Sequence, residues 1–399
     1  MKRFLVVVAA LLVALEIAYR ELRPHAPTIV GSPTVEYVPS PPPTAPTVPG
    51  VAWATYGYDA QRTRAVAGVD VRPPFRLLWT FHGRALLEFP PAVGYGRVYQ
   101  PTFDGRLVAL DAATGKAVWR YASGRCGWAS PALAQGLVVA TFIGSGECRS
   151  RARDGEVVAL DASTGRVRWL RRVAPTESSP LVAGGVVYVG DWSGRVTAFS
   201  LRTGRVRWAQ SVGGAIKGSL AVAGKRLFIG TYGGDAVALA APSGRVLWRS
   251  GGHGSFYSSP AVAYGRVYIG SLDGGVYAFG AGTGHLLWAR PTGGYVYASP
   301  AVWRHLVLVG SYDHRFYALD AATGRVRWSF AADDRISGAA SVVDGLVYFS
   351  TFDERTFVVR ARDGALVREW RDGKYSPAVA APGRLYFVGL GKRYALAPR

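Results

Sequence analysis

Asparagine is absent from the 399 residues, methionine occurs once (Met1), and there are four glutamines, two cysteines and six lysines. Scarcity of these types fits heat adaptation and equally fits a GC-rich genome. The two cysteines, Cys126 and Cys148, are not adjacent. The six histidines (His25, His82, His253, His285, His305, His314) fall one per loop or strand, with no H-x-x-x-H spacing. That pattern argues against a zinc site and makes each histidine a surface or packing residue. No glycine-rich stretch joins a strand to a helix, so the 50 glycines serve turns rather than a phosphate cradle. Helical periodicity is missing after Val51, and the one long apolar run is Phe4 to Leu15.

What remains is basic and hydrophobic: net charge +21, 49% hydrophobic residues and 12 tryptophans. The positive charge is almost all arginine, spread over every repeat rather than clustered. A nucleic-acid binder would concentrate it in a patch, so nucleic acid is not expected as a partner. Attraction to an anionic envelope polymer or lipid surface suits even spacing better.

Met1-Lys2-Arg3 followed by Phe4 to Leu15 has the order of an export signal, charge then apolar segment. No small-x-small cleavage site follows, so residues 1–23 are expected to stay as a membrane anchor with the rest outside; the chain is secreted if the signal is cleaved. Residues 24–50 carry Pro41-Pro42-Pro43 among other prolines and are expected to form an extended linker, a stalk.

From residue 51 to 399 one pattern recurs. Ala109 to Trp119, Ala159 to Trp169 and Ala318 to Trp328 read Ala-Leu-Asp-Ala-x-Thr-Gly-Lys/Arg-x-x-Trp. Weaker copies end at Trp208, Trp248 and Trp288, a degraded one at Trp370, and Trp79 is the second half of a copy lacking its first half. Spacings of 40, 50, 39, 40, 40, 40 and 42 residues between these eight tryptophans define a repeat architecture. Thr-Gly is turn chemistry, with glycine free to take a positive φ. Asp111, Asp161 and Asp320 can accept bonds from the turn backbone. Each tryptophan then offers roughly 150–250 Å² of burial, an upper bound of about 4–6 kcal/mol. Residues 259–290 show four short strands between Gly and Asp turns, an antiparallel meander. Such a sheet buries one face only by stacking on the next, as in a β-propeller. Inner strands start at Pro90, Ser130, Ser179, Ser219, Ser259, Ser299, Ala339 and Ser376, which gives eight blades. The last lacks its tryptophan strand, and Phe75 to Phe81 is a tryptophan strand lacking its blade. The N-terminal strand is therefore expected to close the ring against residues 393–396, removing an exposed edge.

The repeated motif resembles the tryptophan-docking motif of quinoprotein (PQQ-repeat) propellers, and Trp53-Ala54-Thr55-Tyr56-Gly57-Tyr58-Asp59 resembles the lead-in ahead of them. The resemblance implies an all-β, eight-bladed propeller, with Trp79, Trp119, Trp169, Trp208, Trp248, Trp288, Trp328 and Trp370 as docking residues. Enzymes of that family are dehydrogenases holding pyrroloquinoline quinone and Ca²⁺ on the axis. Their alcohol dehydrogenases carry an adjacent cysteine pair over the quinone, and asparagine and acidic residues at the metal. This sequence has neither the cysteine pair nor any asparagine. It is closer in character to the non-enzymatic members, typified by the propeller lipoprotein of the outer-membrane barrel-assembly machine. No cofactor, metal or catalytic residue is therefore expected. The alternative is a PQQ-dependent dehydrogenase with Ca²⁺. The partner implied is an envelope protein or a small ligand at one end of a monomeric propeller.

Two further expectations concern residues. Cys126 precedes the second inner strand, and Cys148 sits in the insertion that lengthens this repeat. In a meander those two loops lie at the same end of the sheet, so a disulfide is expected in an exported domain. Aligning the repeats on Ser-Pro gives a column two residues earlier: Glu88, Trp128, Glu177, Lys217, Tyr257, Tyr297, Ser337 and Lys374. Its neighbours are nearly uniform, as packing demands, whereas this column varies and is rich in charge and aromatics. It marks a candidate binding face at the axis, flanked by Trp192, Tyr232 and Tyr312. The arginines of the outer strand and its entry turn (Arg166, Arg168, Arg205, Arg207, Arg325, Arg327) protect an exposed edge from pairing.

Overall fold

A computed structural model describes residues 26–39, 49–144, 153–373, 375 and 378–399. The anchor expected at residues 1–23, Cys148 and Lys374 lie outside them. Eight antiparallel sheets form the ring, numbered here as blades one to eight in chain order. Blade five shows the unit: Ala261–Ala263, Arg266–Gly270, Gly275–Gly280 and Leu286–Pro291, from the axis outward. The ring closes as the two sequence fragments require. Phe75–His82 pairs antiparallel with Lys392–Pro398, placing Arg76 opposite Ala397 and Thr80 opposite Tyr394.

The docking motif works through three fixed positions. An alanine lies directly across the sheet from the tryptophan (Ala109–Trp119, Ala159–Trp169, Ala278–Trp288, Ala318–Trp328), which leaves room for the indole. The indole N–H then donates to a carbonyl in the next blade's turn. Trp79 reaches Ala112 at 3.1 Å, Trp169 reaches Leu201 at 2.7 Å and Trp288 reaches Ala321 at 3.0 Å. Three residues further on, the turn glycine lies under the ring. At Gly115, Gly204 and Gly324 φ is +72°, +63° and +71°, and an added Cβ would sit 2.5–2.7 Å from the indole carbons. Glycine is thus required twice, for its backbone and for the ring above it. The motif aspartate ties the turn: Asp320 Oδ1 accepts the N–H of Thr323 at 2.8 Å. Trp370 has no such turn to meet, because blade eight takes its outer strand from the N-terminal side. It stacks on Phe75 instead, centroids 6.1 Å apart.

Residues 51–66 do more than precede the ring. Val51–Trp53 adds a strand to the inner edge of blade one, and Ala65–Val66 pairs parallel with Ser341–Val343 of blade seven. Between them the chain crosses the axis and plugs it. Carbonyls of Ala54, Ala60, Gln61, Thr63 and Arg64 accept N–H groups from Leu133, Val222, Val262, Val302 and Val342 at 2.7–2.9 Å.

Residues 26–39 also depart from the expected stalk: they lie as a strap along blades five and six. Ile29 pairs with Ala289 of the outer strand, Gly31 N–H reaches Thr323 O at 3.0 Å and Val38 N–H reaches Tyr264 O at 3.0 Å. Arg266, fully buried, donates to the carbonyls of Ser32 and Glu36 at 2.7 and 3.1 Å and to that of Ala322 on blade six. Proline-rich chain cannot build its own core, but its carbonyls remain good acceptors for a buried guanidinium.

Candidate axial binding site

Each blade's inner strand is entered by a loop at the axis, and the residues there are fixed by a ladder of serines. The N–H groups of Ser130, Ser179, Ser219 and Ser259 donate to the hydroxyl oxygens of Ser179, Ser219, Ser259 and Ser299 of the following blade, at 2.8–3.0 Å. Blade one carries Pro90 at this position and has no N–H to give. Among the described residues the Ser130 hydroxyl is accordingly without a partner. This ladder explains the uniform Ser column and holds the varied column beside it in register.

That column converges on one cavity of about 420 Å³. Glu88, Trp128, Glu177, Lys217, Tyr257, Tyr297 and Ser337 all line it; among the described residues of blade eight, Tyr375 does. Lys374 lies outside the described residues; Ser337 to Tyr375 spans 38 residues, two fewer than the 40 that separate the column's members from Glu177 to Ser337. Phe352 and Tyr312, from loops nearer the rim, complete an aromatic arc. Its ring centroids run Tyr257–Tyr297 5.3 Å, Tyr297–Tyr312 4.9 Å, Tyr312–Phe352 5.7 Å and Phe352–Tyr375 5.8 Å.

Opposite the arc the wall is polar. Glu177, 9% exposed, is held by Lys217 Nζ at 3.2 Å and by the Tyr257 hydroxyl at 2.6 Å. Burial and the Glu177 and Glu88 carboxylates push the Tyr257 phenol far up, so it stays a donor. Burial pulls the Lys217 ammonium down, against the opposing pull of Glu177. The same ammonium lies 3.1 Å from the centroid of Trp192, a cation–π contact. Tyr232, expected on this rim, is exposed and outside the cavity.

The floor is the plug. Tyr56 faces the cavity from it, with the Arg64 guanidinium 3.9 Å from its ring centroid. Burial raises the Tyr56 phenol, but Arg64, Ser299 and Arg62 together outweigh it and leave it below the usual tyrosine range. Burial, aided by Arg64, brings Arg62 down to about 9; its Nε donates to Leu220 O at 2.8 Å. Asp59 tightens the loop by accepting Thr63 N–H at 2.9 Å. The sequence flagged Tyr56 only within the lead-in resemblance, and nothing in its composition shows that it reaches the axis.

Chemically, the cavity offers flat aromatic faces, hydroxyl donors and one ion pair. Among the described residues no histidine lines it, and the lining serines other than Ser337 lie in the inter-blade ladder. Calcium fits poorly. Glu177 is already engaged by Lys217 and Tyr257, and no group of three His, Cys, Asp or Glu suited to a metal occurs among the described residues.

At the rim of blade two, Cys126 pairs by its backbone with Ile143 at 2.9–3.0 Å and is 4% exposed. Arg125 beside it donates to Gly144 O at 2.8 Å and to both carboxylate oxygens of Asp154 at 2.6 and 2.7 Å. It thereby clamps the two stems of the insertion.

Comparison with known proteins agrees with this geometry. No curated protein matches the sequence. Similar solved structures include BamB from Moraxella catarrhalis, 16% identical, with a TM-score of 0.68, covering 81% of this chain and 99% of that one. Quinohemoprotein alcohol dehydrogenase from Comamonas testosteroni is 15% identical with a TM-score of 0.73, covering 87% and 80%. A europium-containing methanol dehydrogenase is 14% identical with a TM-score of 0.74, covering 88% and 98%. At such identities the likeness is one of fold, shared by enzymes and an assembly factor. The PQQ-repeat family model described as outer membrane protein assembly factor BamB matches residues 69–220 and 193–396. The chain belongs to that family of PQQ-repeat β-propellers.

Proposed function

We propose that the protein is a non-catalytic binding propeller, tethered outside the cell membrane by residues 1–23, that holds an envelope partner or small ligand at the axial cavity. One observation carries this reading: the column that varies between otherwise uniform blades lines a single cavity with a sealed floor. Packing gives no reason for that variety, whereas recognition needs it. The expected result is that Trp128→Ala and Ser337→Trp, the second filling the cavity, each abolish capture of a partner from solubilised membranes. Both should leave the melting temperature within about 2 °C. Capture lost instead with Arg168→Glu and Arg327→Glu would favour an anionic polymer or lipid at the outer rim and leave the cavity idle. Dye reduction after loading with pyrroloquinoline quinone and Ca²⁺ would sink the non-catalytic reading.

Export also implies an oxidised Cys126–Cys148 pair across the insertion that Arg125 clamps. Reduction is expected to cost about 2–4 kcal/mol, seen as a lower melting temperature in reductant. Alkylation of both thiols in exported, unreduced protein would rule the pair out.

A further inference from the structure

The plug does not treat all inner strands alike. Where its carbonyls accept an N–H, the donors Leu133, Val222, Val262, Val302 and Val342 are 0–7% exposed. In blade one Val51–Trp53 covers the edge, and in blade eight Val379 is fully buried in the cluster that contains Trp53. Blade three is the exception. Its inner strand, Leu181–Ala183, has the same register, with Val182 opposite Val187 as Val222 is opposite Leu227. Val182 therefore turns its N–H to the axis as Val222 does. Among the described residues no backbone carbonyl of the plug meets it, and Val182 is only half-buried.

The cause is local. Between Ala54, which serves blade two, and Ala60, which serves blade four, the chain folds on itself. Gly57 and Tyr58 take φ of +88° and +73°, Tyr58 N–H bonds Thr55 O at 3.0 Å, and Arg64 N–H bonds Gly57 O at 3.0 Å. This loop sends Tyr56 into the axial cavity and withdraws its own backbone from blade three. A groove of about 310 Å³ is left along the strand, walled largely by small residues such as Ala54, Ala60, Ala132, Ala134, Ala183 and Gly184. It is separate from the axial cavity, with the plug between them.

We infer that this groove binds an extended polypeptide segment of a partner, which adds a short strand beside Leu181–Ala183 and accepts the Val182 N–H through a backbone carbonyl. The occupant's chemistry follows from continuity with the plug. At five equivalent edges the acceptor is a backbone carbonyl of the plug, supplied by alanine at the two positions flanking the gap, and at the plug's two ends, Val51–Trp53 and Ala65–Val66, the covering chain is itself a short strand. Backbone pairing gives the affinity, and the alanine and glycine walls select small side chains. The inference goes beyond the axial reading and does not depend on it.

The probe is a capped pentapeptide, acetyl-Ala-Val-Ala-Gln-Ala-amide, added to full-length protein carrying nitrogen-labelled valine. In the free protein the Val182 amide is expected to exchange with solvent at least about tenfold faster than those of Val222, Val262, Val302 and Val342. Peptide should slow that exchange and shift the Val182 resonance. Val182→Pro removes the donor where proline is tolerated, at a strand edge, and Ala183→Phe fills the groove without touching the ladder. Each is expected to weaken peptide binding about tenfold or more. The inference falls if Val182 is already as protected as its equivalents, if peptide leaves its resonance unmoved, or if both variants bind as wild type does. It also falls if protection appears only with rising protein concentration, because the occupant is then a second copy of this chain.

Discussion

A chain lacking residues 51–82 is expected to lose its cooperative melting transition altogether, whereas one lacking residues 1–50 keeps a transition at lower temperature. The removed segment serves four places in the ring. Its first residues form the inner edge of blade one, and Ala65–Val66 extends blade seven. Between them the plug satisfies five inner-strand N–H groups and places the Arg62 side chain on Leu220 O. Phe75–His82 is the outer strand of blade eight, with Trp79 buried against Tyr386 and bonded to Ala112 of blade one. Losing it opens the ring, bares the edge of Lys392–Pro398 and strands the inner N–H groups in apolar surroundings. Each such group costs about 1–3 kcal/mol, so the five alone match the roughly 5–15 kcal/mol by which a domain is stable, before the lost strand of blade eight is added. Among the described residues, deleting 1–50 strips the strap, whose contacts lie on blades five and six, and one bond from Tyr95 N–H of blade one to Gly50 O. Circular dichroism melts of the two truncations distinguish the cases; similar transitions would mean that closure does not hold the ring.

How much of this the sequence revealed follows from which atoms make each contact. The docking motif was legible because it demands side chains: an indole, a glycine beneath it, an aspartate for the turn and an alanine opposite. Ring closure was legible for the same reason, Trp79 being a motif half without its partner. The cavity column could be read because the serine ladder keeps its neighbours constant. At Lys374, where the repeat is degraded, the residue lies outside the described ones and its neighbour Tyr375 lines the cavity. The plug was not legible, because it binds the blades through the carbonyls of Ala54, Ala60, Gln61, Thr63 and Arg64, and a carbonyl leaves no mark on residue type. The strap was missed likewise: Arg266 reads the carbonyls of Ser32, Val35 and Glu36, while the proline content suggested a free stalk. Tyr56 and Phe352 reach the cavity from outside the aligned column.

Gly324→Val is expected to be the most damaging single substitution in the ring, costing more than about 4 kcal/mol. Two penalties act together. The residue sits at φ +71°, where a β-branched side chain is strained. Its Cβ would also lie 2.7 Å from Cε3 of Trp288, which must then move. Trp288 has nowhere to go. It is fully buried, its N–H is bonded to Ala321 O, and Gly31 of the strap abuts its other side, where an added Cβ would lie 2.8 Å away. Displacing the indole therefore loosens blade six from blade five and lifts the strap in the same event. Gly364→Val meets Trp328 in the same way, with φ +73° and a Cβ at 2.5 Å, but that indole is only half-buried and can yield outward. Its cost should be smaller by about 1–2 kcal/mol. Gly282→Ala, with nothing within 4 Å of the new Cβ, should change stability by less than about 0.5 kcal/mol. Urea melts rank the three, and limited proteolysis within residues 26–39 reports the strap. A Gly324→Val protein as stable as Gly364→Val, with an uncleaved strap, would show that Trp288 is not the point where strap and blades are joined.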